Sequence, residues 1–238
     1  MWSWNEDTLV SPTDHFRSLK MHVEEEASVS NPRLGIRKLL SVAAVYSAFQ
    51  SGVGAARARA RFVSEHVRPK PGERVLDIGC GTGEIHELFN EQVYIGFDPS
   101  ESYIETARAR FGRAGSFLVG SVFDPPDLGD GFDLLIAVGV LHHLDDKGAA
   151  ALIDVALTRL DPGGRLVTLD PILVPGQHGL ARALAKRDRG EFVRSPSEYA
   201  ALAQGRFDSV RTTQHHDYLR IPYSHLVMEC FMGGPIPC

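Results

Sequence analysis

The sequence predicts an α/β fold: a seven-stranded, mostly parallel sheet with helices on both faces, closed by an antiparallel C-terminal strand pair. Three observations predict it. From about residue 73, short β-rich apolar runs alternate with helical stretches, the mark of a parallel sheet wound with helices. The runs are near-continuously apolar, as strands buried on both faces are. Beyond residue 205 the alternation stops, and two extended runs broken near Pro222 follow with no helix for a crossover, so they read as an antiparallel pair.

Residues 1–34 carry Trp2 and Trp4, six acidic and three basic residues, and little sustained periodicity, and they read as an arm or lid. Residues 35–72 form a helical segment interrupted by Gly52 and Gly54, expected to cover the site. The core then spans 73–238. Its strands are "RVLDIG", "VYIGFD", "SFLVGSV", "FDLLIAVGV" and "GRLVTLD". Between them, "SESYIETARARF" places Ile104, Ala107 and Phe111 on one helical face after a Ser100 cap. "DDKGAAALIDVALTRL" begins with acidic residues and stops at Asp161-Pro162-Gly163-Gly164. An insertion at about 172–205 precedes the final strand pair.

A chain of 238 residues with 43% hydrophobic and 23% charged side chains buries one good core. A formal net charge of -5 supplies no basic field for a nucleic-acid backbone, so a small-molecule partner is favoured over nucleic acid. Cys80, Cys230 and Cys238 are odd in number and have no CxxC spacing, so neither a disulfide framework nor a zinc site is implied. No segment reaches the roughly 20 apolar residues of a membrane span, and the N-terminus lacks a basic stretch followed by an apolar one. The expectation is a cytoplasmic monomer or homodimer.

The first strand runs into "VLDIGCGTGEI", where Gly79, Gly81 and Gly83 alternate with Cys80 and Thr82. Glycines at a strand-to-helix junction let backbone approach a ligand closely, so this loop reads as a cofactor site rather than a simple tight turn. The dinucleotide fingerprint GxGxxG fails, because its third glycine falls on Glu84. A carboxylate there also repels a pyrophosphate but not a phosphate-free cation. Cys80, small and set between glycines, reads as packing beneath the loop.

These residues resemble the class I S-adenosylmethionine-dependent methyltransferases of small-molecule type, whose cofactor motif "LDIGCGTG" matches with Asp77 before the glycines. The resemblance covers about residues 70–230 and implies a Rossmann-like fold with S-adenosyl-L-methionine as cofactor. It is reinforced 21 positions beyond Asp77 by "YIGFDPS", where Asp98, followed by Pro99, implies a carboxylate for both ribose hydroxyls. The third element, "GSVFD", departs by placing Ser121 where an aspartate often meets the adenine; Ser121, the backbone of Val122 or Asp124 could serve. "FDLLIAVGVLHHLDD" resembles the fourth strand and the loop beneath the methyl group, which brings in Val138. Tyr46 and Gln50 could close over the cofactor, as residues of the preceding helix do in related enzymes, though core packing explains Tyr46 nearly as well.

Methyl transfer from a sulfonium mainly requires alignment and exclusion of water, with a base where the acceptor must lose a proton. His142 and His143 follow strand four at the carboxyl edge of the sheet, and His142 is the expected positioning residue or base; the competing reading is a helix cap. Arg189 and Arg194, in a run of basic residues in the insertion, read either as a solvated face or, turned inward, as partners for an anionic acceptor. Tyr218 and Tyr223 are weaker acceptor-binding candidates. Acidic residues that hold magnesium in the catechol type are absent from "AVGVLHH", so no metal requirement is expected. The implied reaction is methylation of an oxygen or carbon of a small molecule. The alternative is a relative that binds the same cofactor but performs a cyclisation or another non-methylating step.

Overall fold

The structure is a computed structural model that describes residues 54–174, 191–221 and 223–233. It contains the expected seven-stranded sheet, in the order β3-β2-β1-β4-β5-β7-β6. The strands are β1 (Arg74–Ile78), β2 (Val93–Asp98), β3 (Ser116–Val119), β4 (Phe132–Val138), β5 (Leu160–Pro171), β6 (Ser209–His215) and β7 (His225–Phe231). The first five pair in parallel, whereas β7 runs antiparallel to both β5 and β6. The strand order reverses between β1 and β4, and the crevice at that switch point is where open α/β sheets bind ligands.

Alternate residues of each central strand serve opposite faces. Val75, Leu134, Ile136, Val167 and Val227 pack with helices α1 (Ala55–Phe62) and α2 (Glu101–Phe111). Leu76, Ile78, Leu135, Ala137, Leu166 and Met228 pack with α3 (Asp146–Arg159) and α4 (Pro196–Ala203). Period-two alternation between two apolar layers explains why the central strand sequences are near-continuously apolar. Ile104 and Ala107 are fully buried as expected, and each large side chain so buried contributes about 1.5–3 kcal/mol.

Several local features differ from the sequence expectation. Ser100 occupies the cap position of α2, but its hydroxyl lies 3.1 Å from Ser102 Oγ and makes no cap bond to a helix amide. Asp145 does cap α3, accepting from Gly148 N at 2.8 Å. The glycine loop does not open a full helix: only eight residues separate Glu84 from Val93, and they form a single 3-10 turn, His86–Leu88. Helix α4 was missed, although Ser195, Pro196 and Glu198 spell a capping box with proline in the first turn. A wide π-type turn, Val63–Val67, continues α1 and ends at Arg68 in a left-handed conformation, φ 44°. No helix among the described residues is long and apolar enough to cross a membrane.

Candidate active site

Handedness answers for the alternate glycines. Gly79, Gly81 and Gly83 have φ of 73°, 56° and 79°, a region that side-chain-bearing residues avoid. Space adds a second demand: a Cβ on Gly79 would stand 2.7 Å from Val140 Cγ2, and one on Gly83 2.8 Å from Phe111 Cε2. Around Gly81 the nearest atom to such a Cβ is Glu84 Oε2 at 3.9 Å, so the middle of the loop stays open for a ligand.

The loop is tied to β2. Gly79 N and Cys80 N both donate to the Phe97 carbonyl, at 2.8 and 3.0 Å, and Gly81 N donates to Asp98 Oδ2 at 3.0 Å. Asp98 Oδ1 accepts from Ser100 N at 2.8 Å. Each carboxylate oxygen thus holds one amide and retains a lone pair for a further donor such as a hydroxyl. Cys80 is buried under the loop, where Gly96 makes room for it, since a Cβ there would lie 2.7 Å from Cys80 Cβ. Burial, then the charges of Asp77 and Asp98, push its thiol pKa up, so it stays protonated.

Asp77 is buried and accepts from the Tyr94 hydroxyl. Burial pushes its pKa up to about 7; the Tyr94 bond opposes that rise, and the charges of Asp98 and Glu84 add to it. Three carboxyl groups therefore surround one glycine loop, an arrangement that favours a cation and penalises a pyrophosphate. Beside it, Pro99, Val119, Gly120, Ser121, Asp124, Pro125 and Pro126 line a cleft of about 340 Å³. Ser121 and Asp124 bond each other's backbone, and Ser121 Oγ accepts from Asp124 N at 3.1 Å, so two of the three candidates for this position, Ser121 and Asp124 but not Val122, line one cleft. Val122 and Val138 are partly buried against the two apolar layers.

The two adjacent histidines separate cleanly. His142 is buried and His143 exposed, their rings 4.0 Å apart. His142 Nδ1 lies 2.9 Å from Asp170 Oδ1, and the same oxygen accepts from the His142 backbone amide at 3.2 Å. With its proton on Nδ1, the imidazole has Nε2 as a free base. Asp170, 1% exposed, was not singled out by sequence. Its signal was an acidic residue ending a buried strand, as Asp98 ends β2. Parallel pairing of Val138 with Leu169 is what brings the two strand ends together.

Arg194 is turned inward, as one reading allowed, but its fork is spent on the protein. Nη1 donates to the Leu141 carbonyl at 2.9 Å; Nη2 reaches the Leu144 carbonyl and Asp146 Oδ1, each at 2.9 Å. It braces the turn Leu141–His143 that carries His142 and is not presented to an acceptor anion. Tyr218 is likewise occupied: it stacks on His215 at 4.1 Å, under the guanidinium of Arg61. Tyr223 is buried with its ring 5.0 Å from His225. Tyr46, Gln50 and Arg189 lie outside the described residues, as does the 1–34 arm.

Comparison with known proteins agrees with this geometry. Residues 75–164 match the family described as "Methyltransferase domain". The probable tRNA methyltransferase 9B of Homo sapiens is 37% identical over 100 residues, 41% of this chain and 21% of that protein. The 27-O-demethylrifamycin SV methyltransferase of Amycolatopsis mediterranei is 34% identical over 119 residues, 47% of this chain and 43% of that one. The chain thus spans about a fifth to a half of the length of the curated relatives it matches. A crystal structure of a TehB-like SAM-dependent methyltransferase from Corynebacterium glutamicum superposes with TM-score 0.59 at 16% identity, covering 86% of this chain and 100% of that one. Residues 75–164 thus match a methyltransferase domain, and the strand order is one that the chain shares with structures of S-adenosylmethionine-dependent methyltransferases.

Proposed function

We propose that the protein binds S-adenosyl-L-methionine at the carboxyl edge of β1 and β2 and transfers its methyl group to an oxygen or carbon of a small-molecule acceptor. The observation that carries this reading is the juxtaposition of two strand-end pairs: the glycine loop with Asp98, and His142 with Asp170. The loop fits the cofactor by its open middle and by its surrounding carboxyl groups, which suit a cation without phosphates. When bound, the cofactor supplies an electrophilic methyl on a positive sulfur.

The chain's own residues do the rest. Asp98 is held by two backbone amides and offers its remaining lone pairs to hydroxyl groups. Ser121 and Asp124 supply polar groups to the neighbouring cleft. Asp170 fixes the His142 tautomer, leaving Nε2 to take a proton from an acceptor hydroxyl or acidic carbon, in the manner of carboxylate-oriented histidine bases. Arg194 holds the turn that carries this histidine. An oxygen acceptor from natural-product metabolism is favoured by relatives such as the rifamycin enzyme and by the net charge of -5, which gives nucleic acid no general attraction.

The test incubates purified chain with methyl-labelled cofactor and a panel of phenolic and aliphatic hydroxyl acceptors. Label in product supports methylation, whereas acceptor converted without label supports a non-methylating step. Absence of both, together with no stabilisation by S-adenosylhomocysteine, overturns the reading.

A further inference from the structure

Away from the methyl-transfer site, the turn after α1 meets the end of edge strand β6 in a group of side chains that the proposed reaction does not use. His66 Nδ1 lies 3.1 Å from Glu229 Oε2, and the other oxygen of Glu229 accepts from Arg68 Nη2 at 3.0 Å. Glu229 is buried on β7, and burial alone would push its carboxyl up. His66, then Arg68 and Arg211, outweigh that and hold it below the usual carboxylate range. Glu229, held on its other side by Arg68, stands as the acceptor for His66 Nδ1–H, which leaves Nε2 as the ring nitrogen that carries the lone pair. That atom faces His215 Nε2 at 2.8 Å. Glu65 completes the group: one donor atom each from Glu65, His66 and His215 all lie within 4.8 Å of one another.

We propose that Glu65, His66 and His215 form a site for a zinc-class divalent cation, oriented by Glu229. Two imidazole nitrogens and a carboxylate are donors that such an ion takes, and a histidine whose second nitrogen is held by a buried carboxylate is the arrangement that orients metal-binding imidazoles. Tetrahedral ligands with bonds of about 2.0–2.1 Å sit roughly 3.3 Å apart, so the two rings need open by only about half an ångström. Glu65 Oε1 remains with Arg61 Nε at 3.0 Å, which leaves Oε2 for the ion once its 3.4 Å contact with the Tyr218 hydroxyl yields. The left-handed Arg68, whose guanidinium anchors Glu229, is the sole non-glycine with positive φ among the described residues. Strained backbone of this kind persists where its surroundings demand it. The ion would bridge residues 66 and 215, fastening α1 to the sheet edge, about 10 Å from the strand that carries Asp170 by the usual strand spacing. It is a structural clamp and takes no part in methyl transfer.

The experiment uses the untagged full chain, stripped with chelator and dialysed. Titration with zinc by calorimetry, and with cobalt(II) by absorption, is expected to show one equivalent bound, with Tm raised by about 5–10 °C at a hundredfold excess over Kd. The variant H215Q, at a half-exposed position, is expected to abolish one-equivalent binding while keeping the circular dichroism spectrum. E229Q is expected to weaken binding roughly 10–100-fold without removing it. No binding by folded wild type at 100 µM zinc (about tenfold above any useful affinity for such a site), or equal binding by wild type and H215Q, overturns the proposal.

Discussion

Replacing Asp77 with asparagine separates stability from ligand binding. Asp77 is buried against Tyr94, with Asp98 and Glu84 nearby, and its pKa in the folded chain rises from 3.8 to about 7. Because the folded value lies above the unfolded one, the native state favours the neutral acid. That advantage is whole below about pH 4 and lost as pH rises through about 7. Between about pH 5 and pH 8, wild type should therefore lose about 3 kcal/mol that Asp77→Asn does not, since asparagine carries no titrating charge. For a chain of this size that difference appears as a Tm gap widening by roughly 6–12 °C over the same range. Differential scanning calorimetry of both proteins across the range measures it. Asparagine still accepts from the Tyr94 hydroxyl, so the contact survives. Calorimetric titration with S-adenosylhomocysteine is expected to show weaker binding by the variant despite its greater stability at high pH. Parallel Tm curves for the two proteins would refute the placement of a buried, titrating carboxyl before the loop.

Four further outcomes follow from the site. Asp98→Ala should weaken S-adenosylhomocysteine binding by about 1–3 kcal/mol by calorimetry, since two backbone amides and the ligand lose a charged acceptor together. Asp170→Asn should lower kcat by about 10²–10⁴ with little change in cofactor affinity, because the imidazole loses its fixed tautomer; steady-state kinetics with labelled cofactor reads this, and an unchanged kcat would remove His142 as base. Arg194→Ala should lower Tm and kcat together rather than raise the acceptor KM alone, as it releases the Leu141 and Leu144 carbonyls. Gly79→Ala should cost about 1–3 kcal/mol of stability, from a positive φ and the collision with Val140, measured by urea unfolding.

The sequence showed the sheet because each central strand is apolar on both faces, and it showed the cofactor half of the site because that half is local: three glycines, then an acid 21 positions on. It hid what depends on pairing between distant segments. Asp170 lies 28 residues from His142 and reaches it only through the β4–β5 register. Arg194, in a run of basic residues, looked like a solvated face or an anion clamp, because nothing local indicates that loop carbonyls lie within reach. His66, His215 and Glu229 meet across 149 and 163 residues, and no spacing rule joins them.

The bond from Gly81 to Asp98 makes the nucleoside cradle a two-segment part. A loop transplanted from a relative brings its own curvature but not the acid that receives its central amide, which belongs to the neighbouring strand. Recombination between homologues that cuts anywhere from residue 82 to 97 would pair a donor with a stranger's acceptor, so productive chimaeras should keep residues 75–100 as one inherited block.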